Sequence, residues 1–133
     1  MSQETQREFT RLVGKSYQQH QSKLALAEPS FRYDGFISSA TLSGSGGSVE
    51  ILCGPPEYHA EIFVTSGSER WSLADLMGIE AVRSWMLKNR ANIDGRALLE
   101  VEIDHAFRLL VEGLKGVADF EWLYRSSPSQ RSQ

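Results

Sequence analysis

Apolar residues recur every three or four positions across residues 3–20, where Phe9, Leu12, Val13 and Tyr17 share a face with Ser16 and the charges fall elsewhere. That period predicts an amphipathic helix. Gly14 inside it costs about 1 kcal/mol against alanine. Glu28-Pro29-Ser30 marks a break, because the residue before a proline is pushed out of the α region. The period then changes to two. Phe31, Tyr33, Ile37 and Thr41 alternate with Arg32, Asp34, Ser38 and Ala40, so residues 31–42 read as one strand, with Gly35 as a bulge or a point of close approach. The run Ser43-Gly44-Ser45-Gly46-Gly47-Ser48 reads as a flexible hairpin tip, and Val49–Cys53 as a second strand. Gly54-Pro55-Pro56 makes a turn that no strand runs through. Glu57–Thr65 is the third strand, with Tyr58, Ala60, Ile62 and Val64 on one face and Glu57, His59, Glu61 and Phe63 on the other. Three strands joined by short connections form an antiparallel meander, which persists only with one face covered.

Beyond the strands the period returns to 3.6. Ser66–Arg70 reads as a loop. Ser72 followed by Asp75 has the spacing of a capping box, with a carboxylate near a helix N-terminus. Leu73, Leu76, Met77, Val82, Trp85 and Met86 form the next apolar stripe, kinked or split at Gly78, with Lys88 and Arg90 in its last turn and 91–95 as connector. Residues 96–114 give the clearest helix, lined on one side by Leu99, Ile103, Ala106, Phe107, Leu110 and Leu114. Asp119–Tyr124 is a short closing helix, and Ser126–Gln133 a disordered polar tail. The expected fold is therefore α+β: an N-terminal helix, a three-stranded antiparallel meander, and two or three C-terminal helices packed on one side of the sheet, as a single domain over residues 1–125.

Composition narrows the class further. The chain has 133 residues, 41% hydrophobic and 23% charged, which excludes wholesale disorder, collagen-like repeats and a disulfide scaffold. Its apolar runs are a few residues long, against the roughly 20 that a membrane span needs. The polar start, Met1-Ser2-Gln3-Glu4, has no apolar leader segment. The lone Cys53 forms no internal disulfide, and with no leader this points to a reducing cytoplasm.

The net charge of −3 argues against nucleic-acid binding. Its distribution says more. Residues 1–32 carry five bases and three acids, residues 33–69 five acids (Asp34, Glu50, Glu57, Glu61, Glu69) and no base, and residues 70–133 nine of each. The negative excess thus falls in one central segment. Either the N-terminal bases fold back on it, or it forms an acidic face that steers a basic partner.

The groups that could carry chemistry are few. His59 lies between Glu57 and Glu61, and on a strand all three point to one face, where they could bind a metal or share a proton; otherwise they form a polar sheet face. Glu100, Glu102, Asp104 and His105 read as a solvated helix face. Glu102 and His105 have the Glu-x-x-His spacing that di-iron bundles use, but those need the unit twice. Cys53 ends an apolar strand, the place of a small core residue rather than a nucleophile. The glycine-rich tip has no Gly-Lys-Ser/Thr ending and precedes a strand, so it is no phosphate loop. No other catalytic or zinc-binding spacing occurs. Among the tryptophans, Trp85 belongs to a core stripe. Trp71, beside Glu69 and Arg70, either plugs the sheet-to-helix corner or serves with Tyr58 as an exposed contact.

Without two or three convergent groups of an enzyme site, the reading is a non-catalytic binding protein with no cofactor and no metal. Size, acidity, the order of elements and the phrase Cys53-Gly54-Pro55-Pro56-Glu57-Tyr58-His59-Ala60-Glu61-Ile62-Phe63 are similar to those of the small cytosolic immunity proteins that bacteria make against toxins. That resemblance implies stoichiometric inhibition of a basic toxin domain, such as a nuclease, by a monomer or homodimer. The expected partner-binding residues are Glu50, Glu57, Tyr58, His59, Glu61, Glu69 and Trp71. Two alternatives stand beside it: an acidic chaperone for a secreted effector, and a small metal-binding or hydrolytic enzyme built on His59.

Overall fold

The computed structural model describes residues 3–54, 60–88, 98–113 and 118–124. Helix α1 (Gln3–His20) turns Phe9, Leu12, Val13, Ser16 and Tyr17 inward, the face that the 3.6-residue period predicts. The Tyr17 hydroxyl donates to the Leu26 carbonyl at 2.8 Å and ties the helix to the chain beyond its end. A single 3₁₀ turn (Gln21–Lys23) intervenes. Leu24 and Leu26, both buried, then make isolated bridges to Tyr124 and Gly44. The Ala25 and Ala27 amides donate at 2.8 Å to the carbonyls of Leu123 and Ser43. This short stretch therefore stitches the C-terminal end of the fold to the sheet.

The sheet has five strands: β1 (Ser30–Asp34), β2 (Ile37–Ser43), β3 (Ser48–Cys53), β4 (Ala60–Ser66) and β5 (Glu69–Ser72). They lie in sequence order and every neighbouring pair is antiparallel. The meander is antiparallel as expected, but it has five strands rather than three, because two further reversals replace a single long strand and a loop. Residues 31–42 are a hairpin rather than one strand: Asp34 pairs with Ile37 around a two-residue turn in which Gly35 takes φ +61°. Glycine enters that region without steric cost. The turn also switches the buried parity from Phe31 on β1 to Ala40 and Leu42 on β2. Likewise the expected loop 66–70 holds a second tight hairpin, Ser66 opposite Glu69, with Gly67 at φ +63°. On β4 the predicted alternation holds: Ile62 and Val64 are buried, Glu61 is exposed and Phe63 half-buried on the other face.

The glycine-rich connection between β2 and β3 packs closely. A Cβ on Gly46 would lie 2.6 Å from Cγ of Trp122, one on Gly44 2.8 Å from the same ring, and one on Gly47 2.0 Å from the Thr65 carbonyl oxygen. The glycines admit an indole against backbone, an approach that any side chain would block.

The Ser72/Asp75 spacing forms a reciprocal cap. The Ser72 amide donates to the Asp75 carboxylate at 3.0 Å, and the Asp75 amide donates to the Ser72 hydroxyl at 3.1 Å. Helix α2 (Leu73–Met77) is split from α3 (Ile79–Lys88) by Gly78 at φ +87°. Helix α4 (Leu98–Gly113) differs from the one-sided stripe expected of it. Val101, Glu102, Ile103, His105, Ala106, Phe107, Leu109, Leu110 and Val111 are all buried, because α4 packs against both α1 and β4 of the sheet. A 3₁₀ stretch (Ala118–Leu123) brings Phe120 and Leu123 into the core. The side chains of Trp85, Met86 and Lys88, together with Arg90, the connector 91–95, Leu114 and the tail 126–133, lie outside the described residues.

Candidate functional site

Strict alternation along β2 and β3 gives the sheet two unlike faces. Ala40, Leu42, Val49, Ile51, Cys53, Ile62 and Val64 point to the helices and are buried. The opposite face carries Arg32, Ser39, Thr41, Glu50, Leu52, Glu61, Phe63 and Arg70, all exposed or half-buried. No described helix covers it.

Three strands of that outer face meet in one array. Glu50 on β3 sits directly opposite Phe63 on β4. Arg70 reaches across from β5, donating to the Glu50 carboxylate at 2.7 Å while its guanidinium carbon stands 3.9 Å from the centre of the Phe63 ring. A guanidinium held by both a carboxylate and a ring face is pre-organised, because each contact restricts the orientation left open by the other. Leu52 adjoins on β3, opposite Glu61. The array is thus an apolar pair under a fixed charge pair, with Glu61 at its end.

The structure divides the residues expected to bind a partner. Glu50 and Glu61 share the outer face. Glu69 is exposed at the β4–β5 turn, and Trp71 has the opposite parity from Arg70. Trp71 is half-buried, with its ring edge-on to Phe120 at 5.3 Å, and so fills the corner between sheet and helices. Glu57, Tyr58 and His59 lie outside the described residues. The base-free segment is not an isolated acidic surface, since Arg32 and Arg70 flank it on the same face and Arg70 neutralises Glu50. Sequence order hides this, because the pairing runs through space between residues 20 positions apart.

On the helix side there is a second concavity, about 310 Å³, between β4, α2, α3 and α4. Glu102 and His105 line it and are only 9% and 2% exposed. They were expected on a solvated helix face. Burial of α4 on nearly every side overrides that expectation, since polarity alone does not say where a helix surface faces. The Ala60 amide donates to the Glu102 carboxylate at 3.3 Å and joins α4 to the first residue of β4.

Cys53, also buried, has its thiol pushed up to about 11 by burial, reinforced by the negative charge of Glu102. A thiol so held supplies almost no thiolate at neutral pH, and so no nucleophile. Among the described residues, no group of three or more His, Cys, Asp and Glu side chains is arranged to hold a metal ion. No described helix is long and apolar enough to cross a membrane.

Comparison of the chain with protein-family models, with curated proteins and with solved structures gives no match.

Proposed function

We propose that this chain is a non-catalytic protein-binding protein that seats its partner on the uncovered face of the sheet. The partner is a basic protein domain. In kind the chain is an immunity protein, which inhibits a toxin such as a nuclease by stoichiometric binding.

The observation that carries this reading is the Glu50–Arg70–Phe63 array with Leu52 beside it. Binding energy in interfaces concentrates in a few central side chains, with aromatic residues and arginine foremost. Here an aromatic ring and an arginine are already locked together on an open face, so little ordering cost remains for association. Asp34, Glu50 and Glu61 against Arg32 and Arg70 leave that face with an acid in excess, in a chain of net charge −3. Complementarity therefore favours a basic partner, and Glu61, which has no cationic partner among the described residues, contributes most to steering.

The test is affinity purification from the organism that makes the protein, at low and moderate salt. Wild type should retain one basic protein at near-equimolar yield, less of it at moderate salt. Phe63→Ser should weaken retention by about 30-fold or more, the scale of a central contact. Glu61→Lys should slow association and reduce its salt dependence. A partner retained equally by both variants contradicts the reading.

A further inference from the structure

The two edges of the sheet differ. Strand β5 has four residues and runs directly into α2. Strand β1 is longer, and four of its five residues are exposed. No described segment pairs with it on the side away from β2. The two-residue turn makes Asp34 and Ile37 a hydrogen-bonded pair, and the alternation of the ladder then fixes the rest. Ser30, Arg32 and Asp34 turn their N–H and C=O groups toward β2, whereas Phe31 and Tyr33 turn theirs to the open edge. Such a row is a template for a further strand. Helix α1 does not cap it. The helix packs chiefly on α4 and β2, and meets β1 through Phe9 against Phe31 and a hydrogen bond between the Thr10 and Tyr33 hydroxyls.

Exposed apolar surface gathers at the same place. Tyr33 is 41% exposed, and Phe36 and Ile37 at the hairpin tip are 70% and 46% exposed. The other exposed large apolar side chains among the described residues, Ile79 and Leu87, stand apart on α3. An open edge is usually blunted by charge. The charges on β1 are of opposite sign instead: Arg32 and Asp34 lie two residues apart on the outer face, and neither forms an ion pair among the described residues. A strand with that pattern is complementary to itself when it runs antiparallel.

We propose that β1 pairs antiparallel with β1 of a second copy of this chain, centred on Tyr33, so that the two sheets run on as one. With Tyr33 opposite Tyr33 of the second copy, the outward N–H and C=O groups of each bond to those of the other. Arg32 then stands opposite Asp34 of the second copy, and Asp34 opposite its Arg32. These are the closer, non-hydrogen-bonded pairs, in which side chains interact most. Centring the pairing on Arg32 would set two arginines face to face. The Tyr33 register also lays each hairpin tip, Gly35-Phe36, alongside Phe31 and Ser30 of the other copy and covers apolar surface there. An open groove between α1 and Tyr33, lined by Gln6, Arg7, Thr10 and Arg11, leaves room for the second tyrosine ring. Both outer faces stay on one side of the joined sheet, so the pairing is independent of a partner seated on that face.

The test is sedimentation velocity of the full-length protein from about 5 to about 500 μM, a range that brackets the Kd of about 10–100 μM expected for a contact this small. Arg32→Asp or Asp34→Arg alone sets like charges opposite each other at both symmetric positions and should weaken self-association by about tenfold or more. An equimolar mixture of the two single variants should associate like wild type, and so should the double variant R32D/D34R alone, because each restores opposite charges at both positions. Tyr33→Pro removes the central outward N–H, which β2 does not use, and should leave a folded monomer. In wild type, hydrogen exchange of the Tyr33 amide should slow as concentration rises, while that of Arg70, which points outward from β5, stays constant. A wild type that stays monomeric throughout, a dimer that neither single variant weakens, or a mixture of single variants that fails to associate overturns the proposal.

Discussion

Two glycine-to-alanine substitutions should move stability in opposite directions, for reasons visible in their surroundings. A Cβ on Gly47 would meet the Thr65 carbonyl oxygen at 2.0 Å and the Trp122 ring at 2.9 Å. Carbon–oxygen contacts between strands normally stand at roughly 3.3–3.6 Å. The β2–β3 connection must therefore retreat by about 1 Å from the β4 backbone, which is hydrogen-bonded in the sheet and does not rotate away as a side chain can. Overpacking of this kind costs roughly 1–3 kcal/mol. A ladder hydrogen bond strained beside it adds about 1 kcal/mol, so Gly47→Ala should destabilise by about 3 kcal/mol. A Cβ on Gly14 meets nothing within 4 Å, and the residue lies inside α1. There alanine should stabilise by about 0.5–1 kcal/mol, since glycine loses more backbone entropy on folding. For a domain of this size each kcal/mol is roughly 3–5 °C in Tm. Urea titrations followed by far-ultraviolet circular dichroism would measure both. Trp122→Phe gives a further control, because it should relieve part of the cost of Gly46→Ala, whose contacts are with the ring, and little of Gly47→Ala. Gly47→Ala within about 0.5 kcal/mol of wild type, the range of an ordinary surface change, would refute the close-packed hairpin.

Other expectations test separate links. Ser72→Ala removes half of the cap on α2 and should cost about 1 kcal/mol in thermal unfolding. Asp75, held below the usual carboxylate range by the Ser72 amide and then its hydroxyl, contributes stability that is present above its unfolded pKa and is lost as pH falls through its lowered folded value, and Asp75→Asn should erase that slope. His20, stacked on Phe107 with ring centres 6.0 Å apart, is held below its ordinary value chiefly by burial. Its contribution is therefore complete above about pH 6.5 and is lost as pH falls through its folded value, so His20→Gln should flatten the stability profile below pH 6.5. Cys53 should resist a thiol-specific reagent in the native protein and react at once in denaturant, which mass spectrometry would read; rapid labelling without denaturant would contradict its burial and raised pKa.

How much was legible in the sequence depended on which interactions were local. The α1 face, the Ser72/Asp75 cap and the alternation of β4 follow from period and spacing, and these appear as expected. The two tight hairpins were harder, because a two-residue turn barely interrupts an alternating run. The usable signal at the first was the shift of apolar positions from odd at Phe31 and Tyr33 to even at Ala40 and Leu42, with glycine between. The glycine-rich tip reads as flexible in the sequence because its packing partner, Trp122, is more than 70 residues away. Glu102 and His105 illustrate the limit most clearly. Their polarity suggests solvent, yet the helix that carries them packs against α1 and β4 and buries them, which is a tertiary fact with no local trace. The acidic segment likewise lost its isolation to Arg70, through strand pairing that composition does not record.

The most direct test of the central claim is hydroxyl-radical footprinting of the chain alone and in complex with its recovered partner. Three side chains outside the core report on it: Phe63 and Leu52 on the uncovered sheet face, and Leu87 on α3, which is 63% exposed. Binding on the sheet face should suppress oxidation of Phe63 and Leu52 and leave Leu87 as reactive as in the free protein. Protection of Leu87 with Phe63 and Leu52 unchanged would place the partner on the helices and contradict the account.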